Sequence, residues 1–79
     1  MAITEQSMAR FLEQQNYVDP GEINSSTPLF SSGMLDSFAL LEIVAHLESV
    51  GSFKFKAKDV TLDNLDTIDA MIRYCASRT

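Results

Sequence analysis

The sequence predicts an all-α fold, a small bundle of three to four helices with a long first loop. Three observations carry that prediction. Apolar residues recur at helical spacing in three separate segments, and both prolines and two of the three glycines gather between the first two of them. The one alternating segment has no second strand to pair with. At 79 residues the chain is one domain, residues 1–79. It can bury about 60% of its unfolded surface but is too small for a deep catalytic pocket.

The first segment, TEQSMARFLEQQ, places Met8, Phe11 and Leu12 on one helical face and predicts a helix from Glu5 to Gln15, with Thr4 as N-cap. NYVDPGEINSSTPLFSSGM follows and opposes regular structure, while Tyr17, Val18, Leu29 and Phe30 can pin it to the core. A loop this long inside a small domain usually has a function. The second helix is predicted from Ser37 to Val50, with Gly51 as its stop. At about 100° per residue, Leu40, Ile43, Val44, Leu47 and Val50 share one face, and Phe38, Leu41 and Ala45 share another with Ser37. That second apolar face either serves a partner or marks a central helix buried on two sides. From spacing alone, wider burial is the simpler account.

SFKFKAKDV then reads as an extended connector anchored by Phe53 and Phe55, followed by a short helical turn around Ala57 to Val60. The final helix is predicted from Thr67 to Ser77 on the spacing of Ile68, Met71, Ile72 and Cys75. Asp66 or Thr67 is its N-cap, and Arg73 and Arg78 suit its C-terminal half.

Composition narrows the function. The net charge is −5, and no lysine or arginine falls between Arg10 and Lys54, a span that holds Glu13, Asp19, Glu22, Asp36, Glu42 and Glu48. Nucleic acid is therefore an unfavourable partner, and basic protein surfaces are favourable ones. No stretch reaches the roughly 18 apolar residues of a membrane span, and the N-terminus lacks the pattern of a signal peptide, which implies the cytoplasm. A bundle of this size is most simply a monomer.

Catalytic chemistry finds no constellation. His46, the only histidine, follows Ser37 by nine residues on the same predicted helix, about 13 Å along the axis and on the opposite side. No G-x-S-x-G elbow surrounds Ser37. One histidine and one cysteine are too few soft ligands for a metal, and Cys75 reads as a buried apolar residue. Asp59, Asp63, Asp66 and Asp69 lack the spacing of a calcium loop and read as caps and solvated surface. The expectation is no enzyme, no metal and no catalytic residue.

What stands out is Asp36-Ser37 at the mouth of the most apolar helix. On the dipeptide alone, helix capping is the simpler account. In context, the run GMLDSFALLEIV behind a long loop, with TLDNLDTIDAMI after it, resembles the acyl carrier protein family, whose signature is a G-x-x-D-S-L-like motif at the start of the second helix. The resemblance implies a helical bundle of the acyl-carrier type in which Ser37 receives 4′-phosphopantetheine from coenzyme A. It implies an acyl or aminoacyl group held as a thioester and presented to partner enzymes. Those partners would be a phosphopantetheinyl transferase, an adenylating acyl or aminoacyl ligase, and a downstream acyltransferase or synthase. The family docks through its second helix, which maps here to Asp36, Glu42 and Glu48 with Phe38, Leu41 and Ala45 as apolar contacts. Phe38 replaces the usual Leu, and the LDSF run is similar to that of D-alanyl and other stand-alone carriers, which implies a specialised cargo over a fatty acid. The alternative is a helical interaction module of the same shape that carries no arm. Ser37→Ala separates the two: the fold is expected to survive with about 1 kcal/mol lost from capping, and loading is expected to vanish.

Overall fold

A computed structural model of the chain describes residues 3–78, where helices are the regular elements: α1 Glu5–Gln14, α2 Ser37–Gly51, α3 Leu62–Leu65 and α4 Ile68–Arg78, with a 3-10 turn at Ala57–Asp59. The all-α fold is as expected.

α1 begins with a capping box. The Ser7 N–H donates to Thr4 Oγ1 and the Thr4 N–H donates to Ser7 Oγ, both at 3.0 Å, which satisfies two of the donors a helix start leaves open. It ends one residue before the expected Gln15, because Asn16 turns left-handed at φ 64°. The Tyr17 N–H then reaches the Leu12 carbonyl and the Asn16 N–H the Glu13 carbonyl, both at 3.0 Å, the paired bonds that close a helix C-terminus.

α2 runs one residue further than expected. Gly51 is its last residue, and the left-handed position belongs to Ser52 at φ 56°. Glycine is needed at 51 for a different reason: a Cβ there would lie 2.6 Å from Cε1 of the Phe53 ring, which folds back over the helix end. α3 was not expected, since four residues are too short to display a helical period. α4 starts at Ile68, with Thr67 as its cap through a 3.0 Å bond from the Ala70 N–H.

The core is shared by every helix and by the loop. Met8 and Leu12 from α1, Ala39, Ile43 and Leu47 from α2, Leu65 from α3, and Ile68, Met71 and Cys75 from α4 close around Val18, Leu29 and Leu35 of the loop. Leu40, Val44 and Val50, expected in the core stripe of α2, are half-buried at its edge, and Ala39 takes a central place. Phe53 and Phe55 anchor the connector as expected, by packing with Tyr74 of α4, whose ring lies 4.8 Å from that of Phe55 and 6.0 Å from that of Phe53. The acidic run is less solvated than its composition suggests. Asp59 accepts the Tyr74 hydroxyl at 2.8 Å, and Asp66 is committed to the loop.

Candidate functional site

The site is built from the start of α2. Asp36 stands in an extended conformation and its Oδ1 accepts the Ala39 N–H at 3.0 Å, while its carbonyl accepts the Leu40 N–H at 3.1 Å. Asp36 is thus the cap and Ser37 the first helical residue. This corrects the capping role expected of Ser37. Its side chain is exposed, and its hydroxyl joins no hydrogen bond among the described residues. The cap leaves the Ser37 and Phe38 N–H groups at the positive end of α2.

Around this hydroxyl the second face of α2 is open. Phe38 is 74% exposed and Leu41 65%, with Ala45 and Glu42 also exposed beside them. Wider burial of a central helix is therefore not what the two apolar faces mean: one packs and the other meets solvent. Ser37, Phe38, Leu41, Glu42, Ala45 and Glu48 occupy an arc of about 140° on the helix. Glu48 differs from the rest in being half-buried. Its Oε2 accepts the Phe55 N–H at 2.7 Å and its carbonyl accepts the Phe53 N–H, so it fastens the connector to α2.

Two neighbours were not expected at this site, Met34 and Tyr17, the latter expected only as an anchor of the loop. Met34 is exposed while the next residue, Leu35, is buried; that in-and-out alternation was the available signal. Tyr17 comes from the other end of the loop. Partial burial raises its phenol above the ordinary value, and the carboxylates of Glu42 and Asp36 raise it further.

The loop that delivers Ser37 is held by Asp66. Oδ1 accepts the N–H groups of Phe30 at 2.8 Å and Ser31 at 2.9 Å, Oδ2 accepts the Ser31 hydroxyl at 2.7 Å, and the Asp66 carbonyl accepts the Leu29 N–H at 2.7 Å. Burial pushes this carboxyl up, but the bonds from Ser31, Phe30 and Leu29 outweigh it and hold the group below the usual carboxylate range. Nearby, the Asp69 N–H donates to the Ser25 carbonyl at 3.0 Å. Nothing in the sequence announces these partners, which lie 35 and 36 residues away.

Other reactive groups stand apart from this surface. His46 stacks on Phe11 of α1 with ring centres 3.9 Å apart, and burial lowers its pKa. Cys75 is buried and its thiol is pushed up accordingly. An open polar groove along α3 and α4, lined by Asp63, Asn64, Arg73 and Tyr74 among others, shares no residue with the Ser37 surface. No group of three His, Cys, Asp or Glu among the described residues could hold a metal ion. No helix there is long and apolar enough to cross a membrane.

Ser37 thus offers an exposed primary hydroxyl on a capped helix start, rimmed by the exposed apolar side chains of Met34, Phe38 and Leu41. No side chain among the described residues hydrogen-bonds to it. The family described as phosphopantetheine attachment site matches residues 6–75, and the chain belongs to it. That family is defined by covalently attached 4′-phosphopantetheine, and its domains carry groups without themselves catalysing reactions. Comparison with curated proteins and with solved structures returns no match.

Proposed function

We propose that this chain is a carrier whose 4′-phosphopantetheine arm is attached at Ser37 and bears an acyl or aminoacyl group. The observation that carries this reading is the division of labour at the start of α2, where Asp36 caps and Ser37 Oγ is left exposed and unbonded. The residues fit the group: among the described residues the Ser37 side chain is exposed, and the open N–H groups of the first turn favour an anionic phosphodiester. When attached, the arm supplies a terminal thiol for a thioester. Ser37 supplies only the oxygen: its proton passes to a base of the transferase as the Oγ–P bond forms, the pyrophosphate bond of coenzyme A breaks and adenosine 3′,5′-bisphosphate leaves.

Phe38, Leu41 and Ala45 form the apolar centre of the docking face, and Asp36 and Glu42 its acidic rim, suited to basic partners such as the transferase, an adenylating ligase and a downstream acyltransferase or synthase. Glu48 belongs to this set by position, with its charge partly committed to the connector. The LDSF run supports a short or amino-acid cargo. A need for coenzyme A and an adenylating partner favours the cytoplasm as the compartment of this carrier.

Intact mass before and after incubation with coenzyme A, magnesium and a broad-specificity phosphopantetheinyl transferase tests the reading. The wild type is expected to gain one phosphopantetheine and Ser37→Ala none. Modification of Ser37→Ala would move the attachment elsewhere. No gain on folded wild type would leave an interaction module with a carrier's shape.

A further inference from the structure

The segment leading to Ser37 is a closed ring with two feet. The Leu35 N–H returns to the Leu29 carbonyl at 2.9 Å, and between them the Gly33 N–H donates to the Phe30 carbonyl at 3.0 Å in a turn that needs the left-handed φ of 82° at Gly33. One foot, Leu29 to Ser31, stands on Asp66 through four hydrogen bonds, three of them to its carboxylate. The other foot, Leu35, is buried and adjoins the Asp36 cap. A short hydrogen-bonded path thus joins Asp66 to Leu35, the residue before the cap of α2. Leu29 and Leu35 are buried side chains, whereas Ser32, Gly33 and Met34 between them are exposed. Within this crown the Ser32 hydroxyl donates to the Pro28 carbonyl at 2.6 Å and the Met34 N–H to Ser32 Oγ at 3.4 Å, bonds internal to the loop, so Asp66 and the buried Leu29 and Leu35 are what tie the ring to the rest of the fold.

Resting on the assignment of Ser37 as attachment site, we propose that Asp66 is a positioning residue for reactions at Ser37, acting through the 29–35 ring and touching no substrate itself. Asp66 sets where the serine and the apolar rim at Met34 and Phe38 stand relative to each other, so its loss weakens recognition by the transferase more than it weakens the fold. Thr67 provides the control. It caps α4 one residue later through the Ala70 N–H and makes no bond to the loop.

The test uses the full chain, coenzyme A and the purified transferase, with the carrier as varied substrate, at a temperature where circular dichroism shows every variant folded. Asp66→Ala is expected to raise KM for the carrier about tenfold with kcat nearly unchanged, a loss typical of misplaced recognition groups. Asp66→Asn keeps Oδ1 for the Phe30 and Ser31 N–H groups and should fall between Asp66→Ala and wild type; it also stands in if the alanine variant does not fold. Thr67→Ala should behave as wild type. Amide hydrogen exchange should show Phe30 and Ser31 losing protection in Asp66→Ala and keeping it in Thr67→Ala. An unmoved KM in Asp66→Ala, or an equal rise in Thr67→Ala, overturns the role of Asp66 while leaving Ser37 in place. A wild type that takes up no arm removes the Ser37 assignment and this role together.

Discussion

Because the Asp36 carboxylate already accepts the Ala39 N–H, the hydroxyl of Ser37 has no structural task in α2. Asp36→Ala is expected to cost about 1 kcal/mol, as loss of an N-cap does, whereas Ser37→Ala should stay within about 0.5 kcal/mol of wild type. Urea unfolding of the two variants checks this, and a larger loss in Ser37→Ala would return the capping role to the serine. Two other side chains have pKa values lowered in the folded chain and so contribute to its response to acid. His46 has a folded-state pKa lowered below its ordinary 6.5 by burial. Its contribution to stability is complete above that value and shrinks as pH falls below it, when the unfolded chain takes up a proton first. His46→Phe keeps a ring against Phe11 and removes the proton site, so stability should fall less between pH 7 and 5 in the variant than in wild type. Asp66, held below 3.8, keeps its contribution until more acidic conditions and loses it as pH falls through that lowered value. Carbon-detected NMR titration of its carboxyl should inflect below 3.8.

At the scale of elements, the end of α2 has its glycine one position before the left-handed residue. Ser52→Gly should stabilise by about 1 kcal/mol, since serine at φ 56° carries a steric cost that glycine does not. Gly51→Ala should destabilise by about 1–3 kcal/mol, because its Cβ would press on the Phe53 ring. Thermal unfolding that reversed these signs would contradict this account of the helix end. The same element shows what a sequence can and cannot disclose. Thr4, the helical spacing of Met8 and Leu12, and the core residues Ile43 and Leu47 were legible because caps and periods are local. The exposure of Phe38 and Leu41 was not legible from spacing, since an apolar face has the same period whether packed or bare, and only the family resemblance pointed to it. Gly51 was read as a stop because the ring that requires it lies two residues on, in a fold-back that spacing does not encode. Ser37 was legible through the motif around it, whereas Asp66 looked like surface because its partners come from another part of the chain.

Across the whole molecule, a Cα radius of gyration of 11.4 Å matches the roughly 12 Å expected for a compact chain of this length. The bare face of α2 is therefore a feature of a folded globule. Leu41→Ala should leave stability within about 0.5 kcal/mol, because the side chain is 65% exposed, yet slow loading by an adenylating ligase. Glu42→Lys should slow it too and flatten its dependence on salt, as removal of a steering charge does. Loading rates measured across ionic strength distinguish the two, and no change in either variant would place the docking face elsewhere. The clamp on Asp66 also bears on the order in which the chain is made. Ser37 emerges from synthesis well before the residues that fix its approach, since Asp66 follows Ser31 by 35 positions and Asp69 is needed for the bond to Ser25. A growing chain shows its serine early but in an unfixed setting. With Ser37 as the attachment site and Asp66 as its positioning residue, as proposed, full presentation of the hydroxyl waits on the far end of the chain folding back onto the loop, through Asp66 to Ser31 and Asp69 to Ser25.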